Sequence, residues 1–251
     1  MKLLVDIGNT RIKWSWFDGH DLGAQSALAH QGLQQRQLAD EMQAAARKPE
    51  RILVSNVGGV AAAQLLRATA SQLWNLQPEF VESTASAGGV RNAYSEPAKL
   101  GVDRWLAVIA AHSIERRATC VVSVGTAMTI DAVDRDGQHL GGIIVPGPDL
   151  MVSSLLQNTS EIARRAEQGS VGESVFADNT LGAIRQGSQH AAAALVERSV
   201  AALQARVDET PALLLTGGAS RQFDGLIGPA HRFIPDLVLR GLAVLVGKPA
   251  G

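Results

Sequence analysis

The run Leu4-Val5-Asp6-Ile7-Gly8-Asn9-Thr10 can be laid without a gap on Val121-Val122-Ser123-Val124-Gly125-Thr126-Ala127. Each stretch is an apolar run of strand length that ends in glycine and a small polar residue, the composition of a tight turn. Beyond Thr10, the residues Ile12, Trp14 and Trp16 alternate with Lys13, Ser15 and Phe17, a period of two that reads as a second strand. Met128–Val133 alternates in the same way after Ala127. Both second strands then run to an Asp-Gly turn, Asp18-Gly19 in one half and Asp136-Gly137 in the other. A self-similarity at this spacing points to a duplicated chain, with two related domains at 1–117 and 118–251 facing one another across a cleft. Two unrelated hairpins that look alike because β sequences are repetitive are the competing explanation.

Working outward, Arg51–Val57, Glu79–Val81, Thr119–Val124, His139–Val145 and Pro211–Leu215 read as further strands. Residues around 32–47, Ala61–Trp74, Pro97–Arg117, Leu181–Arg206 and Leu237–Val246 read as helices, with Gly101 weakening the third. Strands at the head of each half followed by strands alternating with helices give an α/β class with mixed sheets.

Bulk properties exclude several functions. The formal net charge of −1 leaves no basic excess for a nucleic-acid backbone. The one cysteine, Cys120, lies in a buried-strand pattern and fits a reducing cytoplasm better than a disulfide. Met-Lys-Leu-Leu-Val-Asp reaches an acid before any apolar signal region forms, and no stretch is long and apolar enough to span a membrane. His20, His30, His112, His139, His190 and His231 are scattered without zinc-ligand spacing.

A glycine-polar-threonine turn between two strands has a specific chemical use. Glycine leaves no Cβ between backbone and ligand, and successive turn N–H groups can converge on an anion. Asn9, Thr10 and Thr126 add small polar side chains for phosphate oxygens, and Lys13 follows on the strand leaving the first turn. Asp6 ends an otherwise apolar strand. It either holds a hydrated magnesium ion beside those phosphates or accepts N–H bonds from the turn.

Asp-Ile-Gly-Asn-Thr at 6–10, Gly-Val-Asp-Arg at 101–104, Gly-Thr-Ala-Met-Thr-Ile-Asp at 125–131, Asp-Asn-Thr at 178–180 and Thr-Gly-Gly at 216–218 follow one another in the order and spacing of the type III pantothenate kinases. The chain resembles that family over nearly its whole length. The same family includes proteins described as accessory factors for a virulence regulator. The resemblance implies a duplicated actin-like (ribonuclease H-like) ATPase fold and ATP-dependent phosphorylation of pantothenate, the first step of coenzyme A synthesis. It implies that Asp6, Ile7, Gly8, Asn9, Thr10, Arg11, Ile12 and Lys13 form the ATP phosphate loop, with Thr126 a second ATP contact. Tyr94, Gly101, Val102, Asp103, Arg104 and Thr180 would bind pantothenate, with Asp103 the proton acceptor and Asp6 the candidate magnesium residue. It further implies a homodimer whose partner subunit helps build the pantothenate pocket. Taken on their own, Asp103 and Arg104 read equally as a solvated charge pair on a helix. Gly217-Gly218 offers close backbone approach to adenine or ribose, or else starts a helix.

The sequence departs from the family at one place. Many members carry aspartate three positions before the second-turn threonine, where it binds a monovalent cation such as potassium. Here that position is Ser123, the counterpart of Asp6, so potassium or ammonium is expected at a weakened site. The competing functions are a kinase of another small hydroxyl substrate on this fold and a non-catalytic nucleotide-binding regulator.

Overall fold

A computed structural model describes residues 1–43, 47–166 and 175–247. Its first sheet comprises β1 (Lys2–Ile7), β2 (Arg11–Phe17), β3 (Ser26–Ala29), β4 (Arg51–Asn56) and β5 (Glu79–Phe80), in spatial order β3-β2-β1-β4-β5. β1–β2 and β2–β3 pair antiparallel, whereas β1–β4 and β4–β5 pair parallel. A short hairpin of β6 (Ser86–Ala87) and β7 (Val90–Arg91) follows in the chain. The second sheet comprises β8 (Thr119–Val124), β9 (Ala127–Val133), β10 (His139–Pro146), β11 (Ala212–Thr216) and β12 (Arg232–Phe233), in order β10-β9-β8-β11-β12. β8–β9 is antiparallel, and β8–β11 and β11–β12 are parallel. Strand order and the directions of the matched pairs repeat, so the two sheets are copies of one topology.

Register refines the match. Ile7 faces Ile12 across the first hairpin, and Val124 faces Met128 across the second. The first turn is therefore one residue longer. Gly8 N–H donates to the Arg11 carbonyl and Gly125 N–H to the Ala127 carbonyl, both at 3.0 Å. Thr10, not Asn9, is thus the counterpart of Thr126. The ungapped overlay holds up to the glycine and slips by one residue after it.

The helices are α1 (Gln35–Gln43), α2 (Val60–Trp74), α3 (Val102–Glu115), α4 (Pro148–Asn158), α5 (Ser160–Ala166), α6 (Thr180–Gln204) and α7 (Leu237–Val246). The helix expected around 32–47 is α1, with residues 44–46 of that range outside the described residues. The helix expected over Pro97–Arg117 is split. Pro97–Lys99 makes one 3₁₀ turn, Leu100 is extended, and Gly101 is the N-cap of α3 with ψ near 131°. Arg116 in the left-handed conformation ends that helix. α4, α5 and the edge strand β3 have no counterpart in the sequence reading.

Chain contacts divide the molecule into two compact units. One holds Met1–Arg116, Asp136–His139 and the segment from Asp236 on, and the other Arg117–Arg135 and Leu140–Pro235. α7, which a division at residue 117 leaves in the second half, thus packs in the first. In the first unit Leu3, Val5 and Ile7 of β1 join Leu38, Met42 and Leu66 in one core. Leu4 joins Leu106 of α3 and Leu239 and Leu242 of α7 in another. A strand alternates its side chains between faces, so Asp6 shares the face of Leu4, toward α3. Each such fully buried leucine contributes on the order of 2 kcal/mol. Gly241 brings α7 against α3, since a Cβ there would lie 2.2 Å from the Leu106 carbonyl oxygen.

In the second unit, Cys120, Val122 and Val124 of β8 pack with Val196 and Leu203 of α6. Cys120 is buried and its thiol is pushed up to about 12, chiefly by burial and then by Asp131. Such a thiol is inert at neutral pH.

Candidate active site

The first hairpin and its parallel neighbour β4 place three polar residues on one face of the sheet. Asp6 near the end of β1 is opposite Lys13 on β2 and beside Ser55 on β4. Asp6 is 6% exposed, and burial raises its pKa from 3.8 to about 6. Lys13 pulls it down, the carboxylate of Asp103 pushes it up, and the neighbouring Ser55 hydroxyl lowers it slightly. No hydrogen bond of ordinary geometry joins Ser55 to Asp6, and both Asp6 Oδ1 and Ser55 Oγ are buried without a partner. Buried polar atoms are nearly always satisfied, so two adjacent orphans beside a lysine mark a place shaped for a polar ligand.

Ile7 and Ile12 are fully buried in the α1–α2 core, so only their backbone faces the turn. Asn9, Thr10 and Arg11 are exposed. The residue after β3, His30, donates its N–H to the Thr10 carbonyl at 3.1 Å. Its Nε2 lies 2.8 Å from the Gly8 carbonyl oxygen.

Asp103 sits in the first turn of α3, where the unpaired N–H groups of a helix start favour negative charge. Its Oδ1 accepts the Arg104 N–H at 2.9 Å. Gly101 leaves it room, because a Cβ there would lie 2.9 Å from Asp103 Oδ1. Arg104 is 6% exposed, so it is no solvated surface charge. Its Nη1 donates to Tyr94 Oη at 3.0 Å, and its guanidinium lies 5.8 Å from the Tyr94 ring centre. Tyr94 stacks on fully buried His139, with ring centres 6.3 Å apart and planes 14° off parallel. Val102 packs beside the Leu4–Leu106 core. The first unit thus brings together Asp6, Lys13 and Asp103, and builds a Tyr94–Arg104 pair next to Asp103.

Thr126 and Thr180 belong to the second unit. Thr126 is exposed in the shorter turn, whose backbone is held by Gly147 N–H donating to the Thr126 carbonyl at 2.8 Å. Thr180 opens α6, capped by the Asn179 side chain accepting from Gly182 N–H. At the positions of Asp6, Lys13 and Ser55 the second sheet carries Ser123, Thr129 and Thr216. Three hydroxyls replace a charged pair and a hydroxyl, so the polar character of the first sheet's face is kept without its charge. Gly217 has φ +91°, and a Cβ there would strike the backbone of Val124 at 2.3 Å. That glycine is required by close backbone packing. At Gly218 an added Cβ would meet no heavy atom within 4 Å.

His30, Ser55 and His139 were not among the residues singled out from the sequence. Ser55 had a usable signal, a hydroxyl ending the apolar run Ile52–Val54 as Asp6 ends its own. The two histidines had none, since each is brought to the site by strand order.

A duplicated five-stranded mixed sheet, each copy opening with a glycine-threonine hairpin turn, is the actin-like ATPase fold. Solved structures agree on the fold. A protein described as a Baf family transcriptional activator from Campylobacter jejuni superposes with TM-score 0.60 at 22% identity, covering 97% of this chain and 96% of that one. A protein described as a 2-dehydro-3-deoxygalactonokinase from Sinorhizobium meliloti gives 0.59 at 12% identity, covering 97% of each chain. The profile of the type III pantothenate kinase family matches residues 2–202. A type III pantothenate kinase of Nitrosococcus oceani is 35% identical over 248 residues, covering 97% of this chain and 92% of the relative. One from Azoarcus sp. is 39% identical over 252 residues, covering 100% and 92%. The chain belongs to the type III pantothenate kinase family. Among the described residues, no helix is long and apolar enough to cross a membrane.

Proposed function

We infer that this chain transfers the terminal phosphoryl group of ATP to the primary hydroxyl of pantothenate, giving 4′-phosphopantothenate, the first step of coenzyme A synthesis. The observation that carries this reading is the meeting of Asp6, Lys13 and Asp103 in one unit, with the phosphate turn and an acid at a helix start side by side. Phosphoryl transfer asks the protein for positioning, for compensation of phosphate charge and for a group to take the alcohol proton. The backbone N–H groups of the Gly8–Thr10 turn and Lys13 hold the phosphates. Asp103 accepts the hydroxyl proton. Arg104, fixed by Tyr94, offers its fork to the pantothenate carboxylate. Gly101 and Val102 shape the same wall.

Asp6 fits a hydrated magnesium ion. It offers one buried oxygen without a protein partner, and among the described residues no cluster of three or more His, Cys, Asp or Glu forms an all-protein cage. Magnesium prefers that setting, keeping most of its waters, and when bound it neutralises phosphate charge. Ser123 offers a monovalent cation, potassium or ammonium, a dipole where an aspartate would offer a full charge.

Homodimerisation belongs to the same reading. Ile143 and Ile144 on β10 and Leu150 and Leu155 on α4 are exposed apolar side chains, Ile144 to 61%, of the kind a partner subunit covers.

The test is a coupled assay on purified protein. ATP consumption that requires pantothenate, with phosphopantothenate identified by mass, supports the reading. ATP turnover indifferent to pantothenate, or driven by another alcohol from a panel, overturns it.

A further inference from the structure

The first phosphate turn is held at the Gly8 carbonyl by residues with no assigned role. His30 Nε2 lies 2.8 Å from the Gly8 carbonyl oxygen, and since a carbonyl only accepts, Nε2 carries the proton and donates it. In a trans peptide the C=O of one residue and the N–H of the next point in opposite directions. Among the described residues no peptide bond is cis, so holding the Gly8 carbonyl toward the imidazole turns the Asn9 N–H to the other side. The Asn9 and Thr10 N–H groups donate to no backbone acceptor among the described residues, which leaves them available to an anion. Beside the imidazole Gly58 packs so closely on the same carbonyl that a Cβ would lie 2.5 Å from the Gly8 oxygen and 3.3 Å from His30 Nε2.

The second unit shows the same device without the imidazole. Gly147 follows β10 as His30 follows β3, and each donates its N–H to the turn threonine, Thr126 or Thr10. At Gly147 any side chain is excluded, because a Cβ would lie 2.1 Å from the Gly125 carbonyl oxygen. The longer first turn makes room for one, and the chain fills it with a hydrogen-bond donor. The imidazole therefore stands only over the turn that carries Asp6 and Lys13.

We propose that His30 is a positioning residue for the nucleotide: its Nε2–H fixes the Gly8–Asn9 peptide so that the Asn9 and Thr10 N–H groups are aimed at the ATP phosphates before ATP arrives. This rests on reading the Gly8–Lys13 segment as the ATP phosphate turn. A peptide held in its binding orientation spares the nucleotide the ordering a loose turn would require.

The experiment compares His30→Phe, His30→Gln, Gly58→Ala and Lys13→Ala in the full chain. It measures affinity for a magnesium complex of a non-hydrolysable ATP analogue by calorimetry, KM for ATP and for pantothenate, kcat and Tm. His30→Phe keeps the ring volume without the donor. It should weaken the analogue and raise KM for ATP by about tenfold, the scale of one well-placed hydrogen bond. KM for pantothenate and Tm should stay near wild type. His30→Gln, with an amide donor of similar reach, should recover most of the loss. Gly58→Ala crowds the Gly8 oxygen and the imidazole together, and should weaken nucleotide by disturbing the same hydrogen bond. Wild-type analogue affinity in His30→Phe, with Lys13→Ala still weakened, overturns the role of His30 alone. Equal damage to ATP and pantothenate binding overturns it too, as a general structural effect. Undiminished affinity in Lys13→Ala overturns the phosphate-turn reading itself, and the proposal with it.

Discussion

Replacing Asp6 with asparagine should make the protein more stable while disabling nucleotide binding. Burial holds the Asp6 pKa at about 6, where an exposed aspartate titrates near 3.8. Between those values the folded chain binds a proton more readily than the unfolded chain, so stability falls as pH rises through that window. Above about pH 6 the whole penalty of the buried charge is present, about 3 kcal/mol for a displacement from 3.8 to about 6. Asparagine keeps the shape and removes the charge. At pH 8 the unit that contains Asp6 should gain up to about 3 kcal/mol, or roughly 6–12 °C in Tm for a chain of this size. At pH 4 the gain should nearly vanish, because Asp6 is then largely protonated in the folded state and only about half protonated when unfolded. Thermal unfolding of both proteins across pH 4–8 supplies the curves, and calorimetry with the magnesium–ATP analogue supplies the binding side. A variant no more stable than wild type at pH 8, or equally more stable at both ends of the range, refutes the reasoning, since either outcome means the charge at Asp6 is not under strain.

Asp103→Asn should lower kcat by about 100-fold or more while leaving Tm and analogue affinity close to wild type, because the amide keeps the shape but cannot take the alcohol proton; near-normal turnover removes that role from Asp103. Activity should respond less sharply to potassium than Ser123→Asp does, since a carboxylate attracts a bare cation more strongly than a hydroxyl; titrations of potassium, ammonium and sodium in the coupled assay check this, and an aspartate variant that gains nothing contradicts it. Ile144→Glu should shift the protein toward monomer and reduce pantothenate turnover together, as read by light scattering beside the kinase assay; a monomeric, fully active wild type contradicts the dimer.

The fold was legible where local pattern decides it. The duplicated strand–turn–strand showed itself because both copies kept the alternation and the glycine, and α7 was readable over its whole length from Leu237 to Val246. What the sequence hid was longer in range or weaker in signal. β3 is four residues with no fully buried side chain, so no hydrophobic period marks it. α4 has one fully buried residue, Pro148, and its apolar side chains at Leu150 and Leu155 face outward. The one-residue slip between the two hairpins is invisible to an ungapped overlay, because a turn adds a residue without disturbing the strand period on either side. At the site, Asp6 and Lys13 stood out by residue type beside a turn. The nearness of Asp103 follows from a fact no local window carries, that Asp6 shares the face of Leu4 and that face is covered by α3. His30 and His139 are placed by strand order alone, whereas Ser55 was readable at the end of its apolar run.

The packing of α7 has a consequence for the order of assembly. The first unit's second core needs Leu4 from the start of the chain, Leu106 from its middle and Leu239 and Leu242 from its far end, locked together at Gly241. The second unit draws its core from Cys120 to Phe233. During refolding the inner segment can condense first and act as a closed loop, shortening the span of free chain that α7 must search before it meets β1 and α3. The half bearing Asp6, Lys13 and Asp103 is then the last to become rigid, and a chain interrupted before residue 237 would hold a finished second unit while Leu4 and Leu106 lacked the α7 side of their core.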